Sequence, residues 1–174
     1  MARTPDRLTR ISISVVEIVR VANLVGGVLC LLGLLASVLV ADALEARLVA
    51  KYGTEVGGSA LYLLRAMVFL VLPTAYAVER LCRALRAMLR TVEDTEPFAA
   101  ANAARLRTIG WMLLAIQLLD LALGAASIYA RSLPIDFITW QPSLTGWIGV
   151  LVAFVLARVF TVGAAMRDDL EGTV

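Results

Sequence analysis

An all-α integral membrane fold with four spanning helices is what this sequence predicts, on three observations. Four long apolar stretches stand at approximately 21–43, 60–81, 109–130 and 145–166. A helix rises about 1.5 Å per residue and a bilayer core is about 30 Å thick, so about 20 residues cross it and each stretch is long enough. Hydrophobic residues make up 60% of the 174-residue chain, and the mean hydropathy of +0.85 lies far above a soluble balance. The charges are sorted between the spans rather than spread along the chain. What lies outside the spans is too short and too divided to build a second core, so residues 1–174 are expected to form one membrane domain.

The N-terminal arm opens with Thr4-Pro5-Asp6, a helix start with Thr4 as N-cap and Pro5 at the first helical position. Ile11, Val15, Ile18 and Ala22 follow at helical spacing, with Arg10, Ser14 and Glu17 off that stripe. Two readings stand: an amphipathic lead-in along the interface, or the first turns of span one. Several charges precede span one and no small-residue cleavage site follows it, so a cleaved signal peptide is not expected.

Span one carries Ala22, Gly26, Cys30, Gly33, Ser37 and Ala41 on one face, and span four carries Gly146, Gly149, Ala153, Ala157, Thr161 and Ala164. Small residues on one face let another backbone approach, so both stripes predict packing within the bundle, with homo-oligomer formation as the remaining reading. The connection between spans one and two reads as short, with Gly53, Gly57 and Gly58 as turn residues; Pro134 and Pro142 mark the other outer connection. Tyr52, Tyr62, Tyr129, Trp140 and Trp147 fall near the outer boundary and Trp111 near the inner one.

Span two holds Arg65 near its outer end and Pro73 near its middle, where a lost backbone donor predicts a kink. Span three has a polar face of Gly110, Gln117, Asp120, Gly124, Ser127 and Arg131. Asp120 lies about ten residues, or roughly 15 Å, below the outer end. A charge at that depth costs about 2.5–3.5 kcal/mol even on the lenient insertion scale, so Asp120 needs a partner or water. Arg65 is the expected partner, with Gln117 nearby, and Arg158 is the rival. Two readings again stand: a structural pair, or an ion or substrate path.

Lys and Arg placement orients the chain. Arg3, Arg7, Arg10, Arg20, Arg80, Arg83, Arg86, Arg90, Arg105, Arg107, Arg158 and Arg167 fall on one side; Arg47, Lys51 and Arg131 fall on the other. The asymmetry predicts that both termini and the connection 82–108 are cytoplasmic. In that connection span two continues as a helix to about Thr91, with Arg80, Arg83, Arg86 and Arg90 along one side. Glu93, Asp94 and Glu96 then reverse the charge before Pro97-Phe98, and the next helix runs through Asn102, Arg105 and Arg107. The arginines either bind the anionic headgroups of the bilayer or dock an acidic protein. The tail ends in Asp168-Asp169-Leu170-Glu171.

Histidine is absent, which removes the commonest metal ligand and general base. Asp120 has no second deep carboxylate for an aspartyl mechanism, since Glu79 falls near the inner boundary. No catalytic, cofactor-binding or metal-binding residue is therefore assigned, and the chain is not expected to be an enzyme. Cys30 lies inside span one and Cys82 at the cytoplasmic end of span two, neither on an oxidising face, so no disulfide is expected.

Glu96-Pro97-Phe98, Asn102, Arg105-Leu106-Arg107 and Ile109-Gly110, followed by an apolar span, resemble the "PF…eN…rLr.iG" element of a bacterial inner-membrane family known as domain of unknown function 2975. The close, Val159-Phe160, Gly163 and Met166 to Val174, is similar to that family's "vF..G..lr.d.e.TV". The resemblance covers most of the chain. It departs at Ala99, where members often have Ser or Thr, and so weakens a side-chain N-cap there. The resemblance implies a bacterial inner-membrane location and, because members are often encoded beside a small helix-turn-helix regulator, a cytoplasmic transcription regulator as partner. The chain itself has no nucleic-acid-binding module. The expected function is a membrane-embedded regulatory or tethering partner. Its docking surface would be Arg80, Arg83, Arg86, Arg90, Pro97, Phe98, Asn102, Asp168, Asp169 and Glu171. The alternative is a small transporter, channel subunit or lipid-binding bundle using Asp120 and Arg65.

Overall fold

The computed structural model describes residues 7–93, 100–133 and 140–171. They form five helices: α1 Arg7–Leu39, α2 Ala41–Tyr52, α3 Thr54–Glu93, α4 Ala100–Ser132 and α5 Leu144–Glu171. All but α2 are long and apolar enough to cross a membrane. The expected helical membrane bundle is present, with one added element.

Its interior is inverted relative to a soluble protein. Leu24, Leu32, Leu151 and Val155 are exposed, whereas the buried positions are largely small or polar: Ala60, Ala77, Ala153, Ala157, Asn102 and Ser127. Lipid solvates the leucines, and small residues inside let the helices approach. Such a continuous apolar exterior belongs to a membrane protein.

The four long helices stand in a row, α1 against α3, α3 against α4 and α4 against α5; α1 makes no contact with α4 or α5 among the described residues. Each neighbouring pair is antiparallel. Glu17 meets Arg86 while Ser37 meets Arg65, and Gly110 meets Phe154 while Gln117 meets Gly146. The start of α1, the end of α3, the start of α4 and the end of α5 therefore share one end, which is rich in arginine.

Helix α1 is continuous over its 33 residues, so the N-terminal arm is the first turns of span one rather than a separate interfacial helix. Thr4 and Pro5 lie outside the described residues. Span one was expected to run to Ala43 and a turn to follow; instead α1 ends at Leu39 and α2 begins at Ala41. Asp42 in its first turn and Lys51 in its last suit the helix dipole. Leu44 and Leu48, one turn apart, pack onto α3 around Ala60, Leu61 and Met67. Gly53 closes the turn at φ +88°, a left-handed conformation that glycine adopts without steric cost. Its N–H donates to the Val49 carbonyl at 2.8 Å.

Gly57 and Gly58, expected as turn residues, lie inside α3. A methyl group at Gly57 would stand 2.8 Å from the Val49 Cα, so the backbone of α2 lies directly on it. Helix α3 continues across Pro73 for 40 residues, about 60 Å and twice a bilayer core.

The small-residue stripe of α5 packs as expected: Ala153, Ala157 and Ala164 are buried. The stripe of α1 does not pack along its length. Nothing stands within 4 Å of a methyl placed at Gly26 or Gly33, and Gly27 is the glycine that meets α3, at Ala75. A cavity of about 420 Å³, lined by Cys30, Gly33, Ser37, Leu61 and Arg65, separates the two helices there.

Candidate functional site

The intramembrane polar residues do not converge. Asp120 is half-buried and lines a cavity of about 180 Å³ between α3 and α4, with Met67, Leu70, Val71 and Thr74. Arg65 points to α1 instead. Its Nε donates to Ser37 Oγ at 3.1 Å, and its Nη2 donates to the Ser37 carbonyl. No ion pair joins Arg65 to Asp120 among the described residues. The reason is angular. At about 100° per residue, Arg65 lies nearly half a turn around α3 from Met67, Leu70 and Thr74, which face Asp120. The expectation that Arg65 reaches inward to Asp120 rests on position along the span, which says nothing about direction around the helix.

Arg158, the rival partner, lies with Arg107 between α4 and α5 at the arginine-rich end. Gln117 is buried against Gly146 of α5, and its Nε2 donates to the Ser143 carbonyl at 3.4 Å. The face of α4 that reads as one polar surface is thus divided: Gln117 turns to α5 and Asp120 to α3.

The concentrated charge lies at the arginine-rich end. Glu79 on α3, with its side chain 14% exposed, accepts from Arg20 Nε at 2.8 Å and from Arg83 Nε at 2.7 Å. Glu17 on α1 accepts from Arg86 Nη1 at 2.7 Å and from Arg20 Nη1 at 3.4 Å. Two glutamates and three arginines so tie α1 to α3. Neither glutamate is among the expected site residues, although Glu17–Arg20 at i,i+3 and Glu79–Arg83 at i,i+4 are legible spacings.

This network divides the arginine row of α3. Arg83 and Arg86 are engaged within the fold. Arg80 and Arg90 are exposed and have no acidic partner among the described residues.

A second polar cluster joins α3 to α4 at the same end. Asn102 is 1% exposed. Its Nδ2 donates to Thr91 Oγ1 at 2.9 Å, and its Oδ1 accepts from Arg105 Nη1 at 2.8 Å. Thr91 Oγ1 donates to the Met88 carbonyl at 2.7 Å, and Arg105 Nη1 also reaches the Ala87 carbonyl at 3.2 Å. A buried amide satisfied from both sides clasps the helices where they project past the apolar stretch. Of the other expected docking residues, Pro97 and Phe98 lie outside the described residues, as do the side chains of Asp168, Asp169 and Glu171. The backbone of α5 reaches Glu171 at this same end.

A double-mutant cycle separates the two charge arrangements. Arg20→Gln and Glu79→Gln should couple, the pair costing less than the sum of the singles, because either alone already breaks the ion pair that the two share. Arg65→Leu and Asp120→Leu should add, since they face different helices. The measurement is thermal unfolding in detergent; coupling in the second cycle and additivity in the first would invert the assignment.

Among known proteins, the model of a family described as "Protein of unknown function (DUF2975)" matches residues 46–174. No curated protein and no solved structure matches. The match includes the Asn102 clasp, Glu79, Arg83 and Arg86, and begins after Glu17 and Arg20.

Proposed function

The chain belongs to the DUF2975 family, and from that premise we propose that it is a non-enzymatic, membrane-embedded partner that tethers or controls a cytoplasmic protein. The observation that carries the reading is the clasped projection of α3 and α4. About half of the length of α3 exceeds what a bilayer core needs, and the Thr91–Asn102–Arg105 cluster holds its end against α4. A preorganised helical hairpin presents a docking surface without an ordering cost on binding. Arg80 and Arg90 offer free positive charge on it, and the tail with Asp168, Asp169 and Glu171 offers the opposite sign. Charge blocks of both signs orient a partner and speed its encounter.

The proposed setting is a bacterial inner membrane with both termini and the hairpin cytoplasmic, from the arginine asymmetry. The proposed partner is a small helix-turn-helix regulator, from the family resemblance; the chain itself would not touch nucleic acid. The transporter alternative has less support, because Arg65 and Asp120 turn away from each other.

The test is affinity purification of the full-length protein from its native membrane in mild detergent, followed by charge reversal. Arg80→Glu with Arg90→Glu should remove a specific cytoplasmic partner and leave the thermal midpoint near that of the parent, as neither arginine is paired among the described residues. Reversing Asp168, Asp169 and Glu171 to Lys should do the same. Recovery of the same proteins by both variants would sink the docking reading. Reporter fusions at Glu93 and Val174 check the orientation, and periplasmic activity at either would reject it.

A further inference from the structure

We propose that Arg107 and Arg158 form a site for the phosphate of an anionic phospholipid, seated between α4 and α5 at the arginine-rich end. The two guanidinium side chains, from neighbouring helices, line one groove of about 430 Å³ together with Ala103, Phe154, Ala157 and Thr161. Both arginines are exposed, and neither has an acidic partner among the described residues.

Their placement is set by the packing of the two helices. Gly110 meets the Phe154 ring, at 3.1 Å for a methyl placed on the glycine, and Trp111 stacks edge-on to the same ring at 5.4 Å. One turn beyond that contact on each helix stand Arg107 and Arg158. Like charges line one groove here with no carboxylate among the described residues, which is unfavourable unless an anion lies between them. Arg158 also lies inside an apolar stretch: Val155, Val159 and Val162 around it are exposed to the hydrocarbon. An arginine so placed extends toward the headgroups and seeks an acceptor there.

A phosphodiester satisfies each of these features. Its oxygens accept from both guanidinium forks. The attached acyl chains find Phe154 and Val155 of α5 immediately below. The groove is distinct from the α1–α3 ion pairs, whose arginines are already neutralised by Glu17 and Glu79. The inference requires only that the helices stand in a bilayer and does not rest on a protein partner.

The experiment uses the full-length chain in nanodiscs of phosphatidylcholine with a minority of phosphatidylglycerol, and native mass spectrometry of the protein released from them. The parent should retain phosphatidylglycerol in preference to phosphatidylcholine. Arg107→Gln with Arg158→Gln should cut that preference by about thirtyfold, the scale of two lost arginine–headgroup contacts. Arg7→Gln with Arg10→Gln removes the same charge from exposed positions on α1 and should change it little. Ala104→Trp, which fills the groove and keeps both charges, should lose the lipid as well.

Unchanged retention in the Arg107 and Arg158 double variant would overturn the site, as would retention by the folded Ala104→Trp protein. Equal losses in the two double variants would reduce it to diffuse attraction. In lipid-free detergent, inorganic phosphate should not raise the thermal midpoint. An increase that needs both arginines would assign the groove to the free anion and reject the lipid. Circular dichroism and the thermal midpoint report whether each variant is folded.

Discussion

Asn102→Leu should lower stability by about 2–3 kcal/mol and release the end of α3 from α4. The amide is almost fully buried and bonds to Thr91 on α3 and to Arg105 on its own helix. Leucine removes both, and the Arg105 guanidinium keeps only the Ala87 carbonyl on that side. Limited trypsin digestion should show the change locally, as faster cleavage after Arg90 and Arg105, with the remaining helices protected. Asn102→Asp should be milder, since a carboxylate still accepts from Arg105. If Asn102→Leu costs less than about 0.5 kcal/mol, the surface-substitution range, the clasp does not hold the hairpin. The same variant bears on the proposed function. A partner that reads a rigid hairpin should bind Asn102→Leu less well even though no charge has changed.

Gly57→Ala should destabilise the protein by about 1–2 kcal/mol, although the same change in an open helical position should stabilise it. Overpacking costs about 1–3 kcal/mol, and replacing a helical glycine by alanine returns up to about 1 kcal/mol. The added methyl would meet the Val49 backbone as well as its side chain, so α2 as a whole must move off α3. Gly149→Ala is the matched control. Nothing lies within 4 Å of the added methyl there, and the helical gain should stand alone. Unfolding in detergent at matched concentration gives both values. Two changes of the same sign would mean that propensity, rather than the α2–α3 contact, governs the Gly57 position.

Those two positions show where reading the sequence succeeds and where it stops. Length and hydropathy determine the spans, because a bilayer imposes one length scale on any helix that crosses it. The small face of span four is legible for a related reason: Ala153, Ala157 and Ala164 recur at helical spacing, and close approach in lipid needs small residues. Two short motifs were enough to point to the family, and the match over residues 46–174 shows it.

Helix α2 is the instructive omission. Ala41–Tyr52 carries Asp42, Glu45, Arg47 and Lys51, so it fails the test for a span and reads as a connection. Its helical signal is Leu44 and Leu48 one turn apart before Gly53, a short amphipathic pattern that becomes stable only against α3. The charge pairs were decided in the same way. Depth along each helix follows from counting residues, and depth leaves Arg65 within reach of Asp120. Direction around each helix, and which helices are neighbours, follow from packing. Packing puts Arg65 on Ser37 of α1 and Asp120 in a cavity against the other side of α3. It divides the arginines into those neutralised by Glu17 and Glu79 and those left free, and it brings Arg107 and Arg158 from distant parts of the chain into one groove. Composition and periodicity act within one segment, and so the sequence by itself determined the spans. Ion pairs and grooves arise between segments, and only the tertiary structure decided them.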